Sequence, residues 1–155
     1  MKLWIDGDAC PRAVRDIVFR AAERLQIETI VVANREARVP RSRFIRAVKV
    51  PKGFDVADRH IVDQVEAGDV VITQDIPLAA DLVPKGVHVI STYGETFTEE
   101  NVAERLATRA LMQGLRAQGA VLGGPAPFGE ADKRKLANAL DRILTRYRQY
   151  PASKR

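Results

Sequence analysis

A single cysteine, Cys10, leaves no partner for an internal disulfide and excludes a zinc site built on several thiolates. Two histidines, His60 and His88, are too few and too widely separated for a catalytic triad. Aromatic residues are 6% of the chain, and none clusters as a base-stacking platform. No apolar run approaches the roughly 20 residues of a membrane span. The N-terminal MKLWIDGDACP brings in acids where a secretory signal would carry a long apolar stretch. Neither G-x-x-x-x-G-K-[ST] nor G-x-G-x-x-G occurs, which excludes nucleotide-binding loops of those two kinds. The expectation is a soluble protein of the bacterial cytoplasm. With 46% hydrophobic and 29% charged residues, the 155-residue chain has the means to bury a core. A single domain over 1–155 is expected, an α/β core at 1–95 followed by a helical extension at 96–155.

The net charge is +5, and its placement says more than its size. Residues 34–52 carry seven Arg or Lys against one Glu, and residues 131–155 carry eight against two acids. Between them, residues 53–69 carry five acids against one Arg. Basic stretches of this kind neutralise phosphates, whereas grouped carboxylates are the usual seat of Mg²⁺ or Mn²⁺. A mixed, solvated surface explains the same counts equally well.

Hydrophobic periodicity divides the chain. Short apolar or β-branched runs at 2–6, 29–33, 44–50, 70–73 and 87–90 read as strands. Residues 11–25 place Val14, Ile17, Val18, Ala21 and Leu25 at helical spacing behind Pro11, whose missing N–H costs nothing in a first turn. A second helix is predicted from Asp55, as its N-cap, to Ala67, with Gly68 as the stop, and a short third one after Pro77. Strands alternating with helices predict a mostly parallel sheet covered on both faces. Beyond residue 95 two helices follow: one to about Gln118, with Thr96 and Glu99 at capping-box spacing, and one over 130–150. The segment GGPAPFG, 123–129, is predicted to be a loop between them.

In a parallel sheet the ligand site lies beyond the carboxyl ends of the strands. The first strand ends in Asp6-Gly7-Asp8 and the fourth in Gln74-Asp75, so three carboxylates are delivered to one edge. Each has a structural alternative as a turn or cap residue, Asp8 most of all, as the cap of the first helix. In the second helix Ile61, Val62 and Val65 mark the buried face, and Asp58 falls within roughly 60° of each. A carboxylate on an apolar stripe needs a partner: Arg59, a helix end, or a metal shared with Asp6 and Asp75. Asp63 reads as surface. Converging carboxylates without His or Cys suit hard divalent cations, which turn water into a nucleophile and stabilise charge on a phosphoryl oxygen. Arg35, Arg38, Arg41, Arg43 and Arg46 in and after the basic loop would hold a nucleic-acid backbone.

Two further motifs are weaker. Asp6-Gly7-Asp8 after a strand is similar to the aspartyl nucleophile and acid of haloacid-dehalogenase-type phosphatases, yet Ala9-Cys10-Pro11 and Gln74-Asp75-Ile76 lack the accompanying hydroxyl and acidic pair. Cys10 and Arg15 form C-x₄-R, one residue short of a phosphatase loop, so Cys10 reads as a small residue packed at a turn.

The segments 5–11 (IDGDACP), 53–58 (GFDVAD), 69–79 (DVVITQDIPLA) and Gly124-Pro125 closely resemble the YaiI/YqxD family of bacterial proteins, across nearly the whole chain. That family in turn resembles the PIN and NYN nucleases, which place acids after the first strand, in a central helix and after a later strand, around one or two Mg²⁺ or Mn²⁺ ions. The resemblance implies a PIN-like fold with Asp6 as the first-strand acid and Asp75 as the later one. The helical acid falls on Asp58, with Asp55 or Asp63 as alternatives. Asp8 has no firm counterpart and is expected to assist by holding or activating water. NYN nucleases carry a further acid where this chain has Pro77, which leaves a weakened site or a binding protein open. The expected function is Mg²⁺- or Mn²⁺-dependent hydrolysis of RNA or another nucleic acid, with Asp6, Asp58 and Asp75 as ligands and Arg38, Arg41, Arg43 and Arg46 on phosphates. The alternatives are a non-catalytic RNA-binding module and a small-molecule phosphatase that uses Asp6.

Overall fold

The computed structural model describes residues 1–119 and 128–149, the last two by their backbone alone. Most of the loop expected at 123–129 lies outside them, as do Gly124, Pro125 and Tyr150. Five strands, β1 (Leu3–Asp6), β2 (Thr29–Ala33), β3 (Ile45–Lys49), β4 (Val70–Ile72) and β5 (His88–Ile90), form one sheet in the order β3-β2-β1-β4-β5. All four pairings are parallel, with Leu3 in register with Thr29 on one side and Val70 on the other. The chain is therefore α/β, with a fully parallel sheet and two helices at its C-terminal end. The central strands β1, β2 and β4 are buried on both faces, which is why they read as unbroken apolar runs.

Alternation along each strand sends neighbouring side chains to opposite faces. Leu3, Ile5, Val31 and Ile72 meet α1 (Arg12–Leu25) and α5 (Glu130–Gln149) through Val14, Val18, Leu136, Leu140 and Leu144. Trp4, Ile30, Val32 and Val71 meet α2 (Val56–Gln64), α3 (Ile76–Leu82) and the start of α4 (Glu99–Ala117) through Ile61, Leu78 and Val102. The C-terminal helix α5 thus completes one of the two cores. Its backbone lies so close to the turn after β5 that a Cβ on Gly94 would stand 2.6 Å from the Leu136 nitrogen. Gly94 is also at φ 84°, so both space and conformation ask for glycine there.

Element ends differ from the sequence reading where side chains claim backbone groups. Helix α2 stops at Gln64, short of Ala67, because Val65 turns to extended backbone and the Glu66 N–H is drawn to the Asp69 carboxylate at 3.0 Å. Asp69 also accepts from the Lys2 N–H and from the Trp4 indole N–H, at 3.0 and 3.1 Å, and so joins the starts of β1 and β4. The capping box of α4 is Thr98 with Asn101, two residues beyond the expected pair, because Thr96 bridges to Ile90. Asp55 precedes α2 in left-handed conformation and caps nothing; its carboxylate lies 3.6 Å from Arg59 instead. Helix α3 begins at Ile76, one residue ahead of Pro77, because Asp75 caps it. Among the described residues no helix is long and apolar enough to cross a membrane.

Candidate metal and nucleic-acid site

Sheet order reverses at β1, whose neighbours are β2 on one side and β4 on the other. At such a switch point the loops leaving the two strands diverge to opposite faces and open a crevice above their carboxyl ends. Asp6 ends β1 here. It lies two residues beyond Trp4 and so faces α2 and α3 rather than α1. It is only 4% exposed, and one of its oxygens accepts from the Thr73 hydroxyl at 3.0 Å. Burial holds its carboxyl above the ordinary carboxylate range, with Asp75 and Asp8 adding repulsion against the Thr73 bond.

Asp75 arrives from β4 on the other side of the crevice. Its N–H donates to the Thr73 hydroxyl at 3.0 Å, and its Oδ1 accepts from the Leu78 N–H at 2.9 Å, which caps α3. Asp58 comes from the first turn of α2, which packs over β1 and β2. Desolvation first, then Asp75 through repulsion and a hydrogen bond, then Asp6 and Asp55, together push its carboxyl up to about 7. The helical carboxylate expected to need a partner has found one in another carboxylate, not in Arg59, which pairs with Asp55. Among the described residues none of Asp6, Asp8, Asp58 and Asp75 has a basic counter-ion.

Asp8 stands apart. It is exposed, and both its oxygens accept from the Asn34 N–H, at 3.2 and 3.0 Å. It ties the turn after β1 to the end of β2 and leaves α1 uncapped, since Pro11 occupies the N-cap without a side-chain bond. The turn itself needs Gly7, where a Cβ would lie 2.8 Å from Val31 Cγ1. Asp63 is exposed on α2 as expected. Cys10 is buried, and its thiol is pushed up to about 12, which makes it inert packing.

The basic residues are spread along the connection from β2 to β3, which runs from the crevice edge back to the opposite end of the sheet. Arg38 borders a cleft against α1, and Arg41 is exposed farther along. Arg43 lies 6.0 Å over the Phe44 ring, and Arg46, opposite Ile30 near the start of β3, is 3.5 Å from Glu28. Arg43 and Arg46 are therefore at the end of the sheet where strands begin, away from the carboxylates. Two residues escaped the sequence reading. Thr73 links Asp6 to the backbone of Asp75, and its signal was a hydroxyl closing an apolar strand. Phe54, between β3 and α2 beside Asp55, is 95% exposed and has no core to serve.

Oxygen-only carboxylates of this kind are the donor type hard divalent cations take. Among the described residues these carboxylates have no cationic partner, and no group of three or more His, Cys, Asp or Glu side chains is arranged to hold a metal ion.

The model of a family described as "Uncharacterized BCR, YaiI/YqxD family" matches residues 4–146. The chain belongs to the YaiI/YqxD family. It is 54% identical over 146 residues to a UPF0178 protein of Myxococcus xanthus, covering 94% of this chain and 95% of that one. A UPF0178 protein of Janthinobacterium is 51% identical over 148 residues, 96% and 98% of the two chains. UPF0178 protein BPP1051 of Bordetella parapertussis is 54% identical over 147 residues, 95% and 92% of the two chains. No solved structure matches. This YaiI/YqxD member thus matches these relatives over 94–96% of its length, and its crevice acids fall in the segments 5–11, 53–58 and 69–79.

Proposed function

We propose that this protein is a Mg²⁺- or Mn²⁺-dependent phosphodiesterase acting on nucleic acid, RNA in the first instance. The observation that carries the reading is the convergence of Asp6, Asp58 and Asp75 on the switch point, Asp6 and Asp75 linked through Thr73, without a cationic partner among the described residues. A structural role accounts for part of Asp75, as the α3 cap, but gives no reason to bring two further acids to it at the cost of desolvation and repulsion. Their origins, one after β1, one in α2 and one after β4, are those the resemblance to PIN and NYN nucleases implies.

Asp6, Asp58 and Asp75 would hold the ion, which would supply Lewis-acid stabilisation of phosphoryl charge and activation of water. Thr73 orients Asp6 through its hydroxyl and places Asp75 through the backbone bond it accepts. Asp8 serves as a positioning residue, because both its oxygens are engaged in holding the β1 turn to Asn34. Phe54 offers a stacking surface to a base beside the scissile phosphate. Arg38 neutralises phosphate on the approach, with Arg41 beyond it, while Arg43 and Arg46 reach only a longer substrate.

A covalent phosphatase mechanism is served less well. Asp6 is buried, shares its oxygen with Thr73, and is biased by burial toward the neutral acid, a poor nucleophile. The absence, among the described residues, of a ready-made group of metal ligands and Pro77 at N2 of α3 favour the binding-module reading as the second choice.

Cleavage of a mixed, end-labelled RNA pool by wild type and Asp75→Asn, in Mn²⁺ and in EDTA, tests the proposal. Asparagine still caps α3, so the variant should keep its fold by circular dichroism. Metal-dependent cleavage by wild type that falls to the EDTA background in Asp75→Asn is expected. Equal cleavage by the two proteins overturns the assignment of the site, and no cleavage in any lane overturns the activity.

A further inference from the structure

A cleft of about 1100 Å³ lies on the opposite face of the sheet from the carboxylates, between α1 and the 34–44 connection, and its upper end is Gly7. Six arginines and three carboxylates line it, so its walls carry net positive charge. One face of α1 contributes Arg12, Arg15 and Arg20, and the connection contributes Arg35 and Arg38. None of these five has a carboxylate partner among the described residues, whereas Arg24 deeper along α1 pairs with Asp141 at 3.5 Å and Glu36 with Lys49 at 3.6 Å. Arg15 Nε is buried with no hydrogen-bond partner, a donor left over at the cleft wall. A buried guanidinium N–H without an acceptor is costly, and an anionic ligand oxygen would satisfy it. Ala37, Val39 and Pro40 give the cleft apolar surface between the charged groups, backed by the buried Phe19 and Ala33.

We propose that this cleft binds a single strand of nucleic acid, its phosphates on the arginines and its bases over the apolar floor, and leads it across Gly7 to the crevice. The charge pattern calls for a polyanion, and five separated guanidiniums suit a repeating phosphate better than one small anion. A cleft bounded by one helix and one loop admits one strand, not a duplex. Gly7, which lines the cleft, follows Asp6 in the chain, so the direction of the proposed path rests on the phosphodiesterase reading, while the binding does not. The sequence reading placed the phosphate contacts on the loop alone. It missed α1, whose arginines alternate with acids and look like a solvated helix face.

Fluorescence anisotropy with a labelled single-stranded RNA of about 12 nucleotides tests the cleft, in EDTA so that cleavage plays no part. Wild type should bind at about 100 mM salt, with log affinity falling linearly in log salt by about 0.7 per phosphate engaged. Arg20→Glu combined with Arg38→Glu should weaken binding by roughly tenfold or more and flatten that slope. Arg109→Glu with Arg142→Glu, exposed on α4 and α5, changes net charge by the same amount and should leave binding within about twofold. Equal loss in both double variants, unchanged binding in the cleft variant, or no binding by wild type overturns the proposal. Equal affinity for a duplex of the same length also overturns it, as does full displacement by millimolar inorganic phosphate at constant ionic strength. RNA binding without Mn²⁺-dependent cleavage would sink the phosphodiesterase and leave the cleft standing. Cleavage indifferent to the Arg20 and Arg38 reversals would do the opposite.

Discussion

Asp58 shows at the scale of one residue how position turns an ordinary acid into a functional candidate. Its place on the apolar stripe of α2 was legible in the sequence from periodicity, because burial on a helix follows the 3.6-residue repeat. Its partner was not, because no spacing rule connects α2 to the end of β4. An acid whose pKa is raised in the fold stabilises the fold only while it is protonated there. That contribution is complete below the unfolded value near 3.8 and is lost as pH climbs through about 7. Metal-free protein should therefore melt at a lower temperature at about pH 8 than at about pH 5, and Asp58→Asn should show a smaller drop. A drop of equal size in the two proteins, measured by calorimetry in EDTA, would show that Asp58 is not held in this way. Thr73 and Phe54 were illegible for a different reason. A threonine ending a strand and a lone phenylalanine in a Gly-containing turn have common structural explanations, and only the fold shows a hydroxyl between two acids and a ring left in water.

Elements were read well wherever hydrophobic pattern decided them and poorly wherever a side chain claimed a backbone group. The strands at 29–33 and 70–72 were visible as β-branched runs because both of their faces are buried. The end of α2 was not visible, since it depends on Asp69 at the start of β4. This carboxylate is 4% exposed and accepts from two backbone N–H groups and the Trp4 indole. Asp69→Ala leaves all three donors without it, so a loss of about 3 kcal/mol is expected by chemical denaturation. Asp69 lies at the end of the sheet away from the crevice, so the folded variant should keep whatever metal affinity the wild type has. Metal affinity lost in the folded variant would show the two ends of the sheet to be coupled.

For the whole molecule, the five-strand parallel sheet was legible because alternation of strands and helices leaves few other ways to cover an apolar strand on both faces. The order β3-β2-β1-β4-β5 was not, yet it puts the ends of β1 and β4 side by side and makes three remote acids neighbours. The arginine cleft likewise depends on a connection without a helix folding against α1 through Ala37 and Val39. Both proposed surfaces therefore arise from tertiary packing of segments whose chemistry the sequence already displayed. The account stands on one claim, that Asp6, Asp58 and Asp75 together hold a divalent cation. Calorimetric titration of Mn²⁺ into wild type and Asp58→Asn, near pH 7.5 where ligand carboxylates compete well with protons, tests it without any substrate. Saturable binding by wild type that is lost, or weakened by roughly tenfold or more, in the variant is the predicted result, since even outer-shell partners cost that much. Equal binding by the two proteins, or none by wild type, contradicts the account.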